Sequence, residues 1–184
     1  MSDIKLFAHQ QKALEDTYGF TNVAFYHDMG LGKTFTGSEA LMKYGKRMNL
    51  VICQKSKIQD WLDHFTDHYE DVIAYDLTTD ELNSFIDENR RTGDKTLVGV
   101  INYELVFRRL ELLNLRDFTL MLDESSLVQN ENAKRSRFIL KMKPSHVILL
   151  SGTPTGGRYE RLFSQLKLLG YPLNKTAYYN TYID

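Results

Sequence analysis

Cysteine is nearly lacking: Cys53 is the only one in 184 residues. That excludes a disulfide framework, and a lone thiol fits a reducing, intracellular setting. Proline is scarce too, with three, and no tract rich in Pro, Gly or Ser reads as a linker. No apolar run approaches the roughly 18 residues that would span a bilayer, and no N-terminal signal pattern stands out. A cytoplasmic protein is therefore expected. Charge of either sign is not in excess, the formal balance being −1. A general polycation is excluded, so any contact with nucleic acid has to come from a local patch. Internal repeats are lacking as well.

What is present is a chain 42% hydrophobic, enough for one large core. Its apolar residues fall into short runs: Val23–Tyr26, Leu50–Cys53, Val72–Tyr75, Leu97–Ile101, Thr119–Leu122 and Val147–Leu150. These are continuously apolar rather than alternating, as strands covered on both faces should be. Helix-period segments lie between them. Phe35–Tyr44 can be helical; Ile58, Trp61, Leu62 and Phe65 recur at helical spacing, with Ser56 and Gln59 placed for a capping box. Leu82, Phe85 and Ile86 repeat the pattern behind Thr78 and Glu81, and Tyr159, Leu162, Phe163, Leu166 and Leu169 form a third stripe. Such alternation predicts a mostly parallel central sheet with helices on both faces, a three-layer α/β/α domain whose ligands bind at the carboxyl ends of strands.

Three segments at predicted strand ends carry chemistry. His27-Asp28-Met29-Gly30-Leu31-Gly32-Lys33-Thr34 joins a strand to a helix and ends in Gly-Lys-Thr. Glycines let backbone N–H groups curl around a phosphate, Lys33 can reach the outer phosphates, and the Thr34 hydroxyl can ligate Mg²⁺. His27 stands where the general pattern has Gly. Asp123 and Glu124 follow the run Thr119–Leu122. In a nucleotide hydrolase the first of such a pair holds Mg²⁺, usually through water, and the second orients and deprotonates the attacking water. Ser151-Gly152-Thr153-Pro154 follows Val147–Leu150, and hydroxyls there can link nucleotide state to domain motion.

In this order the three segments resemble the first motor lobe of a superfamily 2 helicase, and their flanks resemble the Swi/Snf-type branch of DNA translocases. The resemblance runs from about Leu6 to about Leu169 and rests on Asp28–Thr34, Leu6-Phe7-Ala8-His9-Gln10, Cys53-Gln54-Lys55-Ser56 with Trp61, Ile101-Asn102-Tyr103-Glu104 and Asp123-Glu124-Ser125-Ser126. It implies a RecA-like ATPase lobe over residues 1–170, with 171–184 starting a connection to a second lobe. The implied cofactors are ATP and Mg²⁺. Gln10, Met29, Gly30, Leu31, Gly32, Lys33, Thr34 and Phe35 would bind nucleotide, Gln10 on the adenine edge. Thr34 and Asp123 would bind the metal, Lys33, Asp123 and Glu124 would act in catalysis, and Ser151 and Thr153 would couple the states. The implied partner is DNA, in sequence-independent backbone contacts through Lys55, Ser56, Asn102 and Tyr103. Gln54 departs from the family's usual Pro, and Ser126 from the His of many relatives.

The second lobe, in the same longer chain or in trans, would supply arginine fingers. Without it, hydrolysis is expected on the order of 10⁻²–10⁻⁴ s⁻¹. An RNA helicase lobe and a one-lobed, non-catalytic nucleotide-dependent binding module remain the alternatives. His64 and His68, four apart, read as solvated residues rather than zinc ligands, and Lys134, Arg135, Arg137, Lys141 and Lys143 as a solvated helix face.

Overall fold

All six continuous apolar runs become strands in the computed structural model, which describes residues 4–26, 32–172 and 174–183. In chain order the elements are α1 (Ala8–Asp16), β1 (Asn22–Phe25), α2 (Lys33–Tyr44), β2 (Met48–Cys53), α3 (Ile58–His68), β3 (Val72–Asp76), α4 (Glu81–Glu88), β4 (Thr96–Asn102), α5 (Tyr103–Val106), β5 (Phe118–Asp123), α6 (Lys134–Lys141), β6 (His146–Leu150), α7 (Phe163–Leu168) and α8 (Lys175–Tyr182). The strands form one sheet in the order β1-β6-β5-β2-β4-β3, and every pairing is parallel.

Burial follows that order. Every residue of the central β2 is buried, whereas β3, at one edge, is half-buried and exposes Ile73. Period-two alternation divides the strand side chains between two cores. Leu50, Ile52, Leu120, Leu122 and Leu149 pack with Phe85, Val106 and Ile139 on the face of α4, α5 and α6. Val51, Cys53, Val100, Met121 and Leu150 pack with Leu14, Leu41, Trp61 and Phe65 on the face of α1, α2 and α3. Residues 174–183 add α8, whose buried Tyr178 donates its hydroxyl to the Tyr159 carbonyl at 2.6 Å.

Helix starts differ from expectation. A 3-10 turn, Lys55–Lys57, precedes α3, and Gln59 bonds to Asp63 one turn on instead of closing a box with Ser56. Before α4, Thr78 turns back onto Asp76, and Glu81 accepts the Asp76 N–H. The stripe from Tyr159 opens as a 3-10 turn, Tyr159–Leu162, with Tyr159 exposed. His64, expected in solvent, is buried, its Nε2 2.8 Å from Ser38 Oγ. Among the described residues, no group of three or more His, Cys, Asp or Glu is placed so that it could hold a metal ion.

Two predictions come from the α2 contacts. Gly37 brings α2 against β6: a Cβ there would lie 2.6 Å from Leu150 Cδ1 and 3.2 Å from Met121 Sδ. Gly37→Val should therefore cost about 1–3 kcal/mol, read by urea denaturation. Burial, then the neighbouring His68, pushes the His64 imidazole down from 6.5 to about 4. Between those values the unfolded chain takes a proton that the folded one refuses, so stability should fall as pH drops through that window. His64→Gln should flatten the fall, by up to about 2 kcal/mol, when denaturation midpoints at pH 7 and pH 5 are compared.

Candidate active site

Parallel strands deliver their carboxyl ends to one edge of the sheet, and there a cleft of about 450 Å³ is lined by Gly32, Lys33, Thr34, Lys57, Asp60, Trp61, Asp123 and Glu124. One wall is the start of α2. Its cap Gly32 is left-handed at φ 71°, ψ 39°, and a Cβ there would sit 2.5 Å from Gln10 Nε2. Glycine is thus required both by conformation and by the closeness of Gln10. Helical geometry leaves the amides of Lys33, Thr34 and Phe35 without intrahelical acceptors, and the helix dipole adds partial positive charge. Together they suit an anion.

Gln10 is 2% exposed. Its Oε1 accepts the Phe7 N–H at 2.8 Å and its Nε2 donates to the Gly32 carbonyl at 3.0 Å. The amide edge expected to meet adenine is thus taken up by the chain itself, bracing the loop. Phe35 packs its ring in T-shaped contacts with His64 and His68, with centroids 5.0 and 5.7 Å apart, and the side chain remains exposed. Met29, Gly30 and Leu31, with His27 and Asp28, lie outside the described residues.

The opposite wall is acidic. Asp123 ends β5, and Trp61 of α3 donates its indole N–H to Asp123 Oδ2 at 2.9 Å. Burial raises the Asp123 carboxyl above its ordinary 3.8; the Trp61 bond counters that, Glu124 adds to it and Lys33 lowers it. Glu124 follows in the left-handed region at φ 58°, ψ 61°. A non-glycine residue there costs about 1–3 kcal/mol. Two hydroxyls repay it: Ser126 donates to Glu124 Oε1 at 2.9 Å and Ser151 to the same oxygen at 2.7 Å. Bonds to a charged group contribute about 1.5–3 kcal/mol each, so the clamp outweighs the strain. Ser126 thus keeps a link to the acidic pair. Ser151 Oγ also accepts the Thr153 N–H at 3.1 Å, while the Thr153 side chain is exposed.

A second, open groove of about 750 Å³ lies beyond β2 and β4, lined by Lys55, Asn102 and Arg108 together with Asp76, Thr78 and Glu104. Lys55 and Ser56 are exposed; Asn102 is largely buried and donates to Glu104 Oε2 at 2.9 Å. Tyr103 must be corrected. It is wholly buried and donates its hydroxyl to the Asp123 carbonyl at 2.8 Å, so it supports the acidic turn from inside and is out of reach of a nucleic-acid backbone.

Residues 9–182 match the model of the SNF2-related domain. The chain belongs to the SNF2-related family. Over 153 residues it is 33% identical to the human DNA annealing helicase and endonuclease ZRANB3, an alignment covering 77% of this chain and 14% of that protein. Over 151 residues it is 28% identical to the human SWI/SNF-related matrix-associated actin-dependent regulator of chromatin subfamily A member 1, with the same coverage. The chain therefore spans about a seventh of the length of these relatives. Its fold matches the Sulfolobus solfataricus SWI2/SNF2 ATPase core in complex with dsDNA, with a TM-score of 0.78 at 20% identity, over 97% of this chain and 39% of that one. The α/β/α sandwich thus has the RecA-like fold of the SNF2 ATPase core. No helix among the described residues is long and apolar enough to cross a membrane.

In this SNF2-related chain, Lys57 and Asp60 line the cleft and Arg108 the groove, and the buried Gln165 accepts the Ser125 hydroxyl beside the acidic pair; the motifs alone did not single out Lys57, Asp60, Arg108 or Gln165. Lys57 and Asp60 pair across one turn at 2.8 Å, and nothing in their spacing distinguishes them from a surface ion pair. Gln165 left one signal, a polar amide inside the apolar stripe from Leu162 to Leu169.

Because the Asp123 carboxyl is raised, its contribution favours folding at low pH and is lost as pH rises through its folded-state value. Trp61→Phe removes a donor that serves the ionised form. It should move the Asp123 inflection to higher pH, read by carboxyl-carbon NMR. It should also cost about 1–3 kcal/mol at neutral pH, the cost shrinking as the carboxyl protonates.

Proposed function

We propose that this chain is the ATP-binding lobe of a DNA-dependent ATPase that couples Mg·ATP hydrolysis to movement on duplex DNA. The observation that carries the reading is the single cleft in which the α2 start, with Lys33 and Thr34, faces Asp123 and Glu124. Membership of the SNF2-related family supports it.

In this reading the amides at the α2 start and the Lys33 ammonium bind the phosphates of ATP, and Lys33 follows the charge that develops on the transferred group. Thr34 and Asp123, oxygen donors of the kind Mg²⁺ prefers, line the same cleft, where the ion would neutralise phosphate charge. Trp61 fixes the Asp123 carboxylate. Both serine hydroxyls converge on Glu124 Oε1, which leaves Oε2 to accept the proton of the attacking water. The groove with Lys55, Asn102 and Arg108, with Ser56 at its margin, supports a backbone grip on DNA that positions without reading sequence. The names of the relatives favour DNA as the track. A second lobe supplying arginine would complete the hydrolytic site.

Lys33→Ala should weaken Mg·ATP binding by about 10–100-fold, measured with a fluorescent nucleotide. Glu124→Gln, in a protein carrying both lobes, should leave binding nearly unchanged and lower DNA-stimulated turnover by about 10²–10⁴. Unchanged turnover in that variant sinks the assignment of the base. Strongest stimulation by RNA instead of duplex DNA overturns the choice of track.

A further inference from the structure

Gln165, on α7, is fully buried, and its amide spans three segments far apart in sequence. Its Oε1 accepts the Tyr26 hydroxyl at 3.0 Å and the Ser125 hydroxyl at 2.6 Å, and its Nε2 donates to the Pro154 carbonyl at 2.8 Å. Tyr26 directly precedes the segment 27–34; Ser125 directly follows Glu124; Pro154 closes Ser151-Gly152-Thr153-Pro154. One side chain thus ties the residue before 27–34 to the residue after Glu124 and to the end of Ser151–Pro154, and that last segment reaches the cleft through the Ser151 bond to Glu124. The neighbouring Ser164 hydroxyl reaches the Gln129 carbonyl at 3.5 Å, adding a second tie from α7 to the segment after the acidic pair. Burial drives the Tyr26 phenol up to about 12, so this hydroxyl stays a donor at any working pH.

We propose that Gln165 is a positioning residue that couples Tyr26, the acidic turn and Ser151–Pro154, so that occupation of the α2 start is transmitted to the acidic turn and to Ser151–Pro154. This rests on the nucleotide reading above for its trigger, but the linkage itself stands on the geometry. A buried primary amide is the side chain that can do this: its carbonyl has two lone pairs for the two hydroxyls, and its N–H serves the carbonyl of Pro154. Leucine would pack in the same volume and hold none of the three. Glutamate would keep the two hydroxyl donors but would set a carboxylate against the Pro154 carbonyl.

Amide hydrogen exchange on the whole protein, with and without Mg·ADP, tests the proposal. Without nucleotide, Gln165→Leu should speed exchange about tenfold or more in 125–129 and 152–157, while β2 and β4 remain as protected as in the parent. With nucleotide, the parent should gain protection in 32–36, 125–129 and 152–157 together. Gln165→Leu should keep the first and lose the other two, and Gln165→Glu should lose only the response of 152–157. The triple variant Tyr26→Phe, Ser125→Ala, Gln165→Leu removes the stranded hydroxyls, so it should recover stability yet remain uncoupled. Parent-like exchange and parent-like responses in Gln165→Leu would overturn the proposal. If Mg·ADP protects nothing in the parent, the nucleotide reading fails, and the nucleotide-free comparison still decides the linkage.

Discussion

A parallel sheet covered on both faces has nowhere to put charge except at the ends of its strands. Residues 118–122 of β5 are buried, between β2 and β6, and the strand's first carboxylate appears at Asp123. β2 likewise passes from a buried Cys53 to the exposed Gln54 and Lys55. Because all pairings are parallel, these transitions fall on one edge of the molecule, and α2 begins at that edge as well. The cleft is therefore a consequence of how the core is closed.

What the sheet cannot do is hold the loops in shape beyond its end. That falls to polar groups working at short range in a poorly hydrated place, where an unmade bond costs more than a made one contributes. Gly32 has no room for a side chain because Gln10 braces it; Glu124 holds a strained backbone because two serines hold its carboxylate; Tyr103 props the same turn from below. The site is a set of loops, each secured by a residue from some other element, with the amide of Gln165 tied to Tyr26, Ser125 and Pro154.

This division explains what was legible in the sequence. The six strands could be read because a continuous apolar run needs no knowledge of its neighbours, and Gly-Lys-Thr and Asp-Glu, which the fold brings into one cleft, stand out because each is a local pattern. The capping boxes at Ser56 and Thr78 failed because nearby side chains offered other partners, Asp63 to Gln59 and Asp76 to Thr78. Trp61 read as an apolar stripe residue, yet its indole N–H serves a carboxylate 62 positions away. Tyr103 reads as a nucleic-acid contact because the resemblance names a segment without the direction of each side chain, and the fold turns its hydroxyl inward to the Asp123 carbonyl. His64 looked solvated because helical spacing places it near Trp61 and Phe65 without saying that Ser38 waits across the interface.

The one thiol has a consequence of a different kind. Cys53 is sealed at the end of β2, and burial, with Asp123, Asp60 and Glu104 nearby, pushes it up to about 12. It offers almost no thiolate to a reagent at neutral pH. A pair of cysteines placed on exposed helices would be the only sites to take spin or fluorescent labels, so distances across the cleft can be followed in this chain without first removing its native sulfur.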